Sequence, residues 1–118
     1  METRTGVTVA QHFVGRPETV KATYDAILSA ARSLGPVGED PKKTSIHLMR
    51  RTAFAGVATR RASLLLTLKS ATDVRSRRIR RRERPSSNRW HLEIELTSPK
   101  EIDRELRAWL SHAYDLAG

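Results

Sequence analysis

The sequence predicts an α+β fold: one small antiparallel sheet of three to four strands, with an N-terminal and a C-terminal helix packed on one face. Three observations predict it. Apolar residues recur at spacings of three and four between Pro17 and Leu34, the period switches to two from Thr44 to Thr97, and helical spacing returns from Ile102 to Ala117. A chain of 118 residues is the usual size for one core, and neither an internal repeat nor a linker divides it, so residues 1–118 read as a single domain.

Each element has its own signal. A short helical turn is expected around Val9 to Phe13. In the first helix Val20, Tyr24, Ile27, Leu28, Ala31 and Leu34 form one apolar stripe. Pro17 suits the first turn, and Gly35-Pro36 stops the helix. Ile46 and Leu48 alternate with Ser45, His47 and Met49 in the first strand pattern. TAFAGVAT (residues 52–59) and Leu64, Leu66 and Leu68 supply the next two, with Arg60-Arg61 placed for a tight hairpin. The last strand is the clearest: Trp90, Leu92, Ile94 and Leu96 point one way, and His91, Glu93, Glu95 and Thr97 the other. SPKE then opens the final helix, with Ser98 as N-cap, Pro99 at the first helical position and Glu101 completing a capping box. Its buried stripe runs through Ile102, Leu106, Trp109, Leu110, Ala113 and Ala117. Trp90, Leu92, Ile94, Leu64, Leu66, Trp109, Leu106, Ile27 and Tyr24 are expected to share one core.

Composition removes several chemistries. The chain has no cysteine, hence no disulfide, thiol nucleophile or Cys-ligated metal. METRTGVTVAQHF lacks the apolar core of a secretory signal, and the densest apolar run, Leu64 to Leu68, is too short to span a bilayer. A cytoplasmic protein without a membrane partner is therefore expected. No serine stands in a G-x-S-x-G context. GPVGEDPKKT, from Gly35, fails as a phosphate loop, because Gly35 and Gly38 are too close together and Lys43-Thr44 lies too far downstream.

Charge is concentrated. Net charge is +9, and RSRRIRRRER (residues 75–84) holds seven arginines and one glutamate, so it alone carries +6. With Ile79 as its only apolar residue, this stretch is expected to be a mobile basic loop over residues 75–88, between the last two strands, contributing little to stability. Arg75, Arg77, Arg78, Arg80, Arg81, Arg82 and Arg84 are the candidate contacts to nucleic-acid phosphates or another polyanion, with Lys42 and Lys43 as additional point charges. With six aromatic residues in the whole chain and no base-reading motif, such contact is expected to be sequence-independent. The competing reading is a solvated, over-charged loop.

Alternation also puts His47 and His91 on the sheet face away from the helices, with Glu93 beside His91. The spacing matches no zinc signature, so these residues are expected to form a polar patch, with no metal and no cofactor.

EDPKKTSIHLMRRTAFAGV (residues 39–57), with GRP (residues 15–17), NRWHLEIEL (residues 88–96) and RELRAWLSHAYDL (residues 104–116), resembles the domain-of-unknown-function family numbered 5655, over nearly the whole chain. The resemblance implies a small α+β domain, found alone in bacteria or appended to larger proteins, some of them nuclease-like. It carries over no catalytic residues. The arginine-rich stretch departs from the family's look.

Three function classes follow. The first is a non-catalytic binding or accessory module whose basic loop contacts nucleic acid or another polyanion. The second is a protein-interaction domain, a homodimer through the sheet face. The third is a small-ligand binder or enzyme built on His47, His91 and Glu93.

Overall fold

A computed structural model describes residues 6–118; the first residues of the N-terminal stretch read above for a leader lie outside the described residues. The architecture is one antiparallel sheet with two helices on one face. A 3-10 turn at Ala10–Phe13 leads into α1 (Glu18–Arg32). Six strands follow: β1 (Gly38–Pro41), β2 (Ile46–Met49), β3 (Ala53–Thr59), β4 (Leu64–Ser70), β5 (Ile79–Ser86) and β6 (Arg89–Leu96). A second 3-10 turn at Pro99–Glu101 precedes α2 (Arg104–Leu116). Strand order across the sheet is β1-β2-β3-β4-β6-β5.

The two-sided pattern read from β6 extends across the sheet. Leu64, Leu66 and Leu68 of β4 pair with Leu96, Ile94 and Leu92 of β6 on one side, and with Thr59, Val57 and Ala55 of β3 on the other. These leucines, Val57, Leu92, Ile94 and Leu96 are essentially inaccessible and pack against Val20, Tyr24 and Ile27 of α1 and Leu106 and Leu110 of α2. Between Leu48 and Met49 the β2–β3 register shifts, so that Leu48 faces Ala55 while Met49 faces Ala53. Phe54 is the extra residue of this bulge. It is fully buried, and its ring meets Tyr114 of α2 edge-on, with centroids 5.3 Å apart.

Several expectations need correction. The sheet has six strands, not three to four. The two that were missed are its edges, where a strand needs little apolar surface. β1 has the sequence GEDP and pairs only with β2. β5 lies within the arginine-rich stretch, so residues 75–88 are not a mobile loop: residues 79–86 form a strand paired to β6. Ile79 is its only buried residue. Main-chain pairing orders the rest, and Pro85 is tolerated because an outer strand has one side without a partner. An arginine-dense outer strand is also a poor template for another sheet edge, since stacked like charges oppose it.

Helix boundaries differ as well. Pro17 is the N-cap of α1, and the helix ends at Arg32, leaving Leu34 40% exposed. The capping box forms as expected, but on the 3-10 turn: Ser98 accepts from the Lys100 N–H, and Glu101 Oε1 accepts from the Ser98 N–H at 3.0 Å. The chain bends at Ile102, and α2 starts afresh with Asp103 as N-cap, accepting from the Leu106 N–H at 3.0 Å. Trp90 and Trp109 are half-buried at the rim of the core rather than within it.

Candidate functional site

The helices cover one face of the sheet, and the other face is open. Cross-strand registers place Asp40, His47, Gly56, Thr67, Glu93 and Arg81 in one row across all six strands. The next row carries Lys69 opposite His91, and His91 opposite Glu83. The right-handed twist of the sheet and the small residues of β3 leave a concavity of about 310 Å³ on this face. Ala53, Gly56, Ala58 and Leu65 lie along it, His47 stands on one side, and Lys69, His91 and Glu93 on the other.

His47 and His91 therefore share a face and a concavity, as alternation indicated. They do not converge. β3 and β4 separate their strands, which puts the two backbones roughly 14 Å apart at three strand spacings. Neither can orient the other for proton transfer. Among the described residues no group of three or more His, Asp or Glu is placed to hold a metal ion.

Gly56 has an ordinary backbone conformation for a strand, and a Cβ there would find His47 Cδ2 at 3.9 Å as its nearest neighbour. The fold has room for a side chain at this position and carries none. Glycine within a strand costs roughly 0.5–1 kcal/mol relative to alanine, so here it keeps a gap beneath the His47 ring without being needed by the backbone. His47, Lys69 and His91 are all half-buried, and none has a side-chain hydrogen-bond or ion-pair partner among the described residues.

The arginines are differently placed. Arg80 contacts Glu95 at 2.9 Å and Glu93 at 3.6 Å; Arg81 contacts Glu83 at 2.6 Å. Asp73 lies between Arg75, at 2.9 Å, and Arg82, whose Nε is 2.8 Å from Oδ1 with its N–H not aimed at that oxygen. Arg78 reaches α2, where Nη1 contacts Asp103 at 2.9 Å and Glu105 at 3.2 Å, Nη2 donates to the Glu101 carbonyl at 2.7 Å, and the guanidinium lies 5.8 Å from the Trp109 ring centre. Arg84 packs over Trp90 and donates to the Ser87 carbonyl. Arg77 has no ion-pair partner among the described residues.

Five of the seven arginines thus contact six carboxylates (Asp73, Glu83, Glu93, Glu95, Asp103 and Glu105), while Arg77 and Arg84 contact none among the described residues, and the thirteen groups together carry +1. The +6 read from the linear stretch is largely matched by residues distant in sequence. Lys42 and Lys43 do not join it, because they sit in the β1–β2 turn on the opposite edge of the sheet, and Lys42 pairs with Asp40 at 3.0 Å.

Two carboxylates show the local field. Glu95 is held below its usual range by the Ser63 hydroxyl and by Arg80 and Arg60. Asp103 is held down by the Leu106 N–H and then by Arg78. The Arg78 pKa is raised: burial opposes this, but Asp103 and Glu105 outweigh it. On the helix side, burial and then the Glu39 carboxylate push Tyr24 far above the usual phenol range, with its hydroxyl donating to Glu39 Oε2 at 2.5 Å. Histidines that gave no sequence signal act structurally. His12 Nε2 lies 2.9 Å from the Lys42 carbonyl, and His112 Nε2 accepts from the Ala71 N–H at 3.1 Å.

Fold and surface define a class: a small α+β domain with one covered sheet face, one open concave face, and an ion-paired arginine edge. The chain belongs to the family described as Domain of unknown function (DUF5655), whose model matches residues 9–117. Comparison with curated proteins and with solved structures finds no match. Among the described residues no helix is long and apolar enough to cross a membrane.

Proposed function

We propose that this domain is a non-catalytic binding module that takes a small ligand on the open face of its sheet. The observation that carries this reading is the floor at Gly56, an optional glycine beneath His47 that keeps a concavity open between His47, Lys69 and His91, whose side chains have no partner among the described residues. Its volume is near the lower end for ligand sites, roughly 300–1,000 Å³. Its lining combines an apolar floor with few polar groups, the usual composition of such sites. The separation of His47 from His91 supports binding over acid–base catalysis.

Gly56→Val tests it. The new side chain occupies the gap, and a β-branched residue suits a strand, so the fold is retained. A series of small neutral and charged ring compounds is titrated into isotope-labelled protein. Saturable amide shifts clustered at His47, Gly56, Thr67, Lys69 and His91, and lost in Gly56→Val, are expected. Shifts spread over the surface, or unchanged in the variant, refute the reading. A sizing column on the same sample checks whether a second copy covers this face instead.

Contact with a nucleic-acid backbone is the second reading, favoured by Arg77, which has no ion-pair partner among the described residues, and by an open cleft of about 580 Å³ among Arg77, Arg78, Arg80, Glu95 and Glu101. Exposed ion pairs contribute only about 0–1 kcal/mol, so phosphates can displace the carboxylates, but the near-neutral cluster limits the gain. Duplex DNA binding that weakens steeply with salt in wild type, and disappears in Arg77→Ser/Arg81→Ser/Arg84→Ser, supports this reading. Equal binding by both proteins removes it.

A further inference from the structure

The lining of the open face is electrostatically sorted. Four charged groups approach the Lys69–His91 pair: Glu93 from β6, Glu83 facing His91 from β5, and Arg80 and Arg81 from the same edge. Arg80 engages Glu93 at 3.6 Å, and Arg81 engages Glu83 at 2.6 Å. Both carboxylates that could have neutralised Lys69 are therefore taken by arginines of the edge strand. Lys69 remains on the wall of the concavity, half-buried, with no ion-pair partner among the described residues.

Lys69 thus presents an ammonium on this wall that no carboxylate engages among the described residues, and an acid group of a ligand supplies the missing counter-ion. Around it, the floor of Ala53, Gly56, Ala58 and Leu65 offers apolar contact but no further charge. At the far side, His47 leans over Gly56 across the gap that a Cβ would have filled. That gap accepts a flat group.

Resting on the reading of this face as a ligand site, we infer that its ligand is a small organic carboxylate with a flat apolar body. The carboxylate pairs with Lys69 Nζ and accepts from a ring N–H of His91, and the body lies over Gly56 against His47. One lysine with one histidine suits a carboxylate better than a phosphate, for which several guanidinium groups or a helix N-terminus are the usual hosts. In this arrangement Arg80 and Arg81 act without touching the ligand: they offset the charge of Glu93, which shares this wall, and of Glu83.

Benzoate and benzamide separate the two levels of the inference, because they share a ring and differ in charge. Each is titrated into isotope-labelled wild type, Lys69→Met and Gly56→Val. The expected result is saturable benzoate shifts centred on Gly56, Thr67, Lys69 and His91, benzamide weaker by about tenfold or more, and that difference erased by Lys69→Met. Equal binding of the two compounds, or undiminished benzoate binding in Lys69→Met, overturns the carboxylate inference and leaves the pocket standing. Binding of other neutral rings at the same amides with no response to benzoate has the same meaning. Benzoate binding that survives Gly56→Val shows that the charge acts away from the pocket, which overturns both.

Discussion

Arg78 Nη1 lies 2.9 Å from Oδ1 of Asp103, the residue that caps α2, so one arginine of the basic stretch ties the edge of the sheet to the start of the last helix. The same guanidinium reaches Glu105 and the Glu101 carbonyl. Its side chain is 25% exposed, against 75% for Arg75 and 65% for Arg81. The arginines are consequently unequal. Arg78→Ala is expected to lower stability by about 1–2 kcal/mol, through lost charge-assisted hydrogen bonds and packing on Trp109. Arg75→Ala and Arg81→Ala are expected to stay within about 0.5 kcal/mol of wild type. Urea denaturation of the three variants ranks them, and equal effects contradict the structural role of Arg78.

Acid should loosen this junction and the Arg80–Glu95 pair on the sheet. The Asp103 and Glu95 carboxyls lie below their unfolded values. A depressed carboxylate contributes stability that is present above the unfolded pKa and is lost as pH falls through the folded one. Stability is therefore expected to be level near neutrality and to decline below about pH 4, where free Asp and Glu titrate. Asp103→Asn keeps a good N-cap but removes the charge, and its stability should fall less steeply over the same acid range. An identical acid limb in both proteins disproves the assignment.

Gly35 and Tyr114 form a second obligate pair. Gly35 has φ +153°, a conformation that favours glycine, and a Cβ there would overlap the Tyr114 hydroxyl, which donates to the Pro36 carbonyl at 3.0 Å. Gly35→Ala is expected to cost about 1–3 kcal/mol from strain, and Tyr114→Phe about 1 kcal/mol from the lost hydrogen bond. Because the phenylalanine has no hydroxyl to overlap, the double variant should be more stable than the sum of the two costs implies. Strict additivity in thermal or urea melts shows that the pair does not interact.

The tryptophan of α2 makes a graded test of the core. Trp109 is half-buried, whereas Leu106 is fully buried. Leu106→Ala should cost about 2–5 kcal/mol. Trp109→Ala should fall below the range of about 3–5 kcal/mol typical of a fully buried aromatic, since part of the side chain is already exposed. A larger loss at Trp109 than at Leu106 reverses the order given by burial.

Periodicity alone determined the helix–sheet–helix order, the core face of β4 and β6, and the placement of His47, His91 and Glu93 on the opposite face. These features follow from local rules, because an element that buries one side must repeat its apolar residues at its own period. Ser98 and Glu101 were legible for the same reason: their capping bonds span only three residues. The tertiary structure decided what depends on partners distant in the chain. β1 and β5 are strands because β2 and β6 offer them main-chain hydrogen bonds, and with only Ile79 buried between them they show no alternation to read. The basic stretch looked like a free polycation because Glu93, Glu95, Asp103 and Glu105 are brought to it only by folding. The gap at Gly56 was hidden as well, because a glycine in a strand shows that a side chain is missing but not that space has been left where it would stand. Electrostatic pairing and cavity shape both depend on which surfaces meet, and it is the six-stranded register that brings Gly56, His47, Lys69 and His91 to one surface.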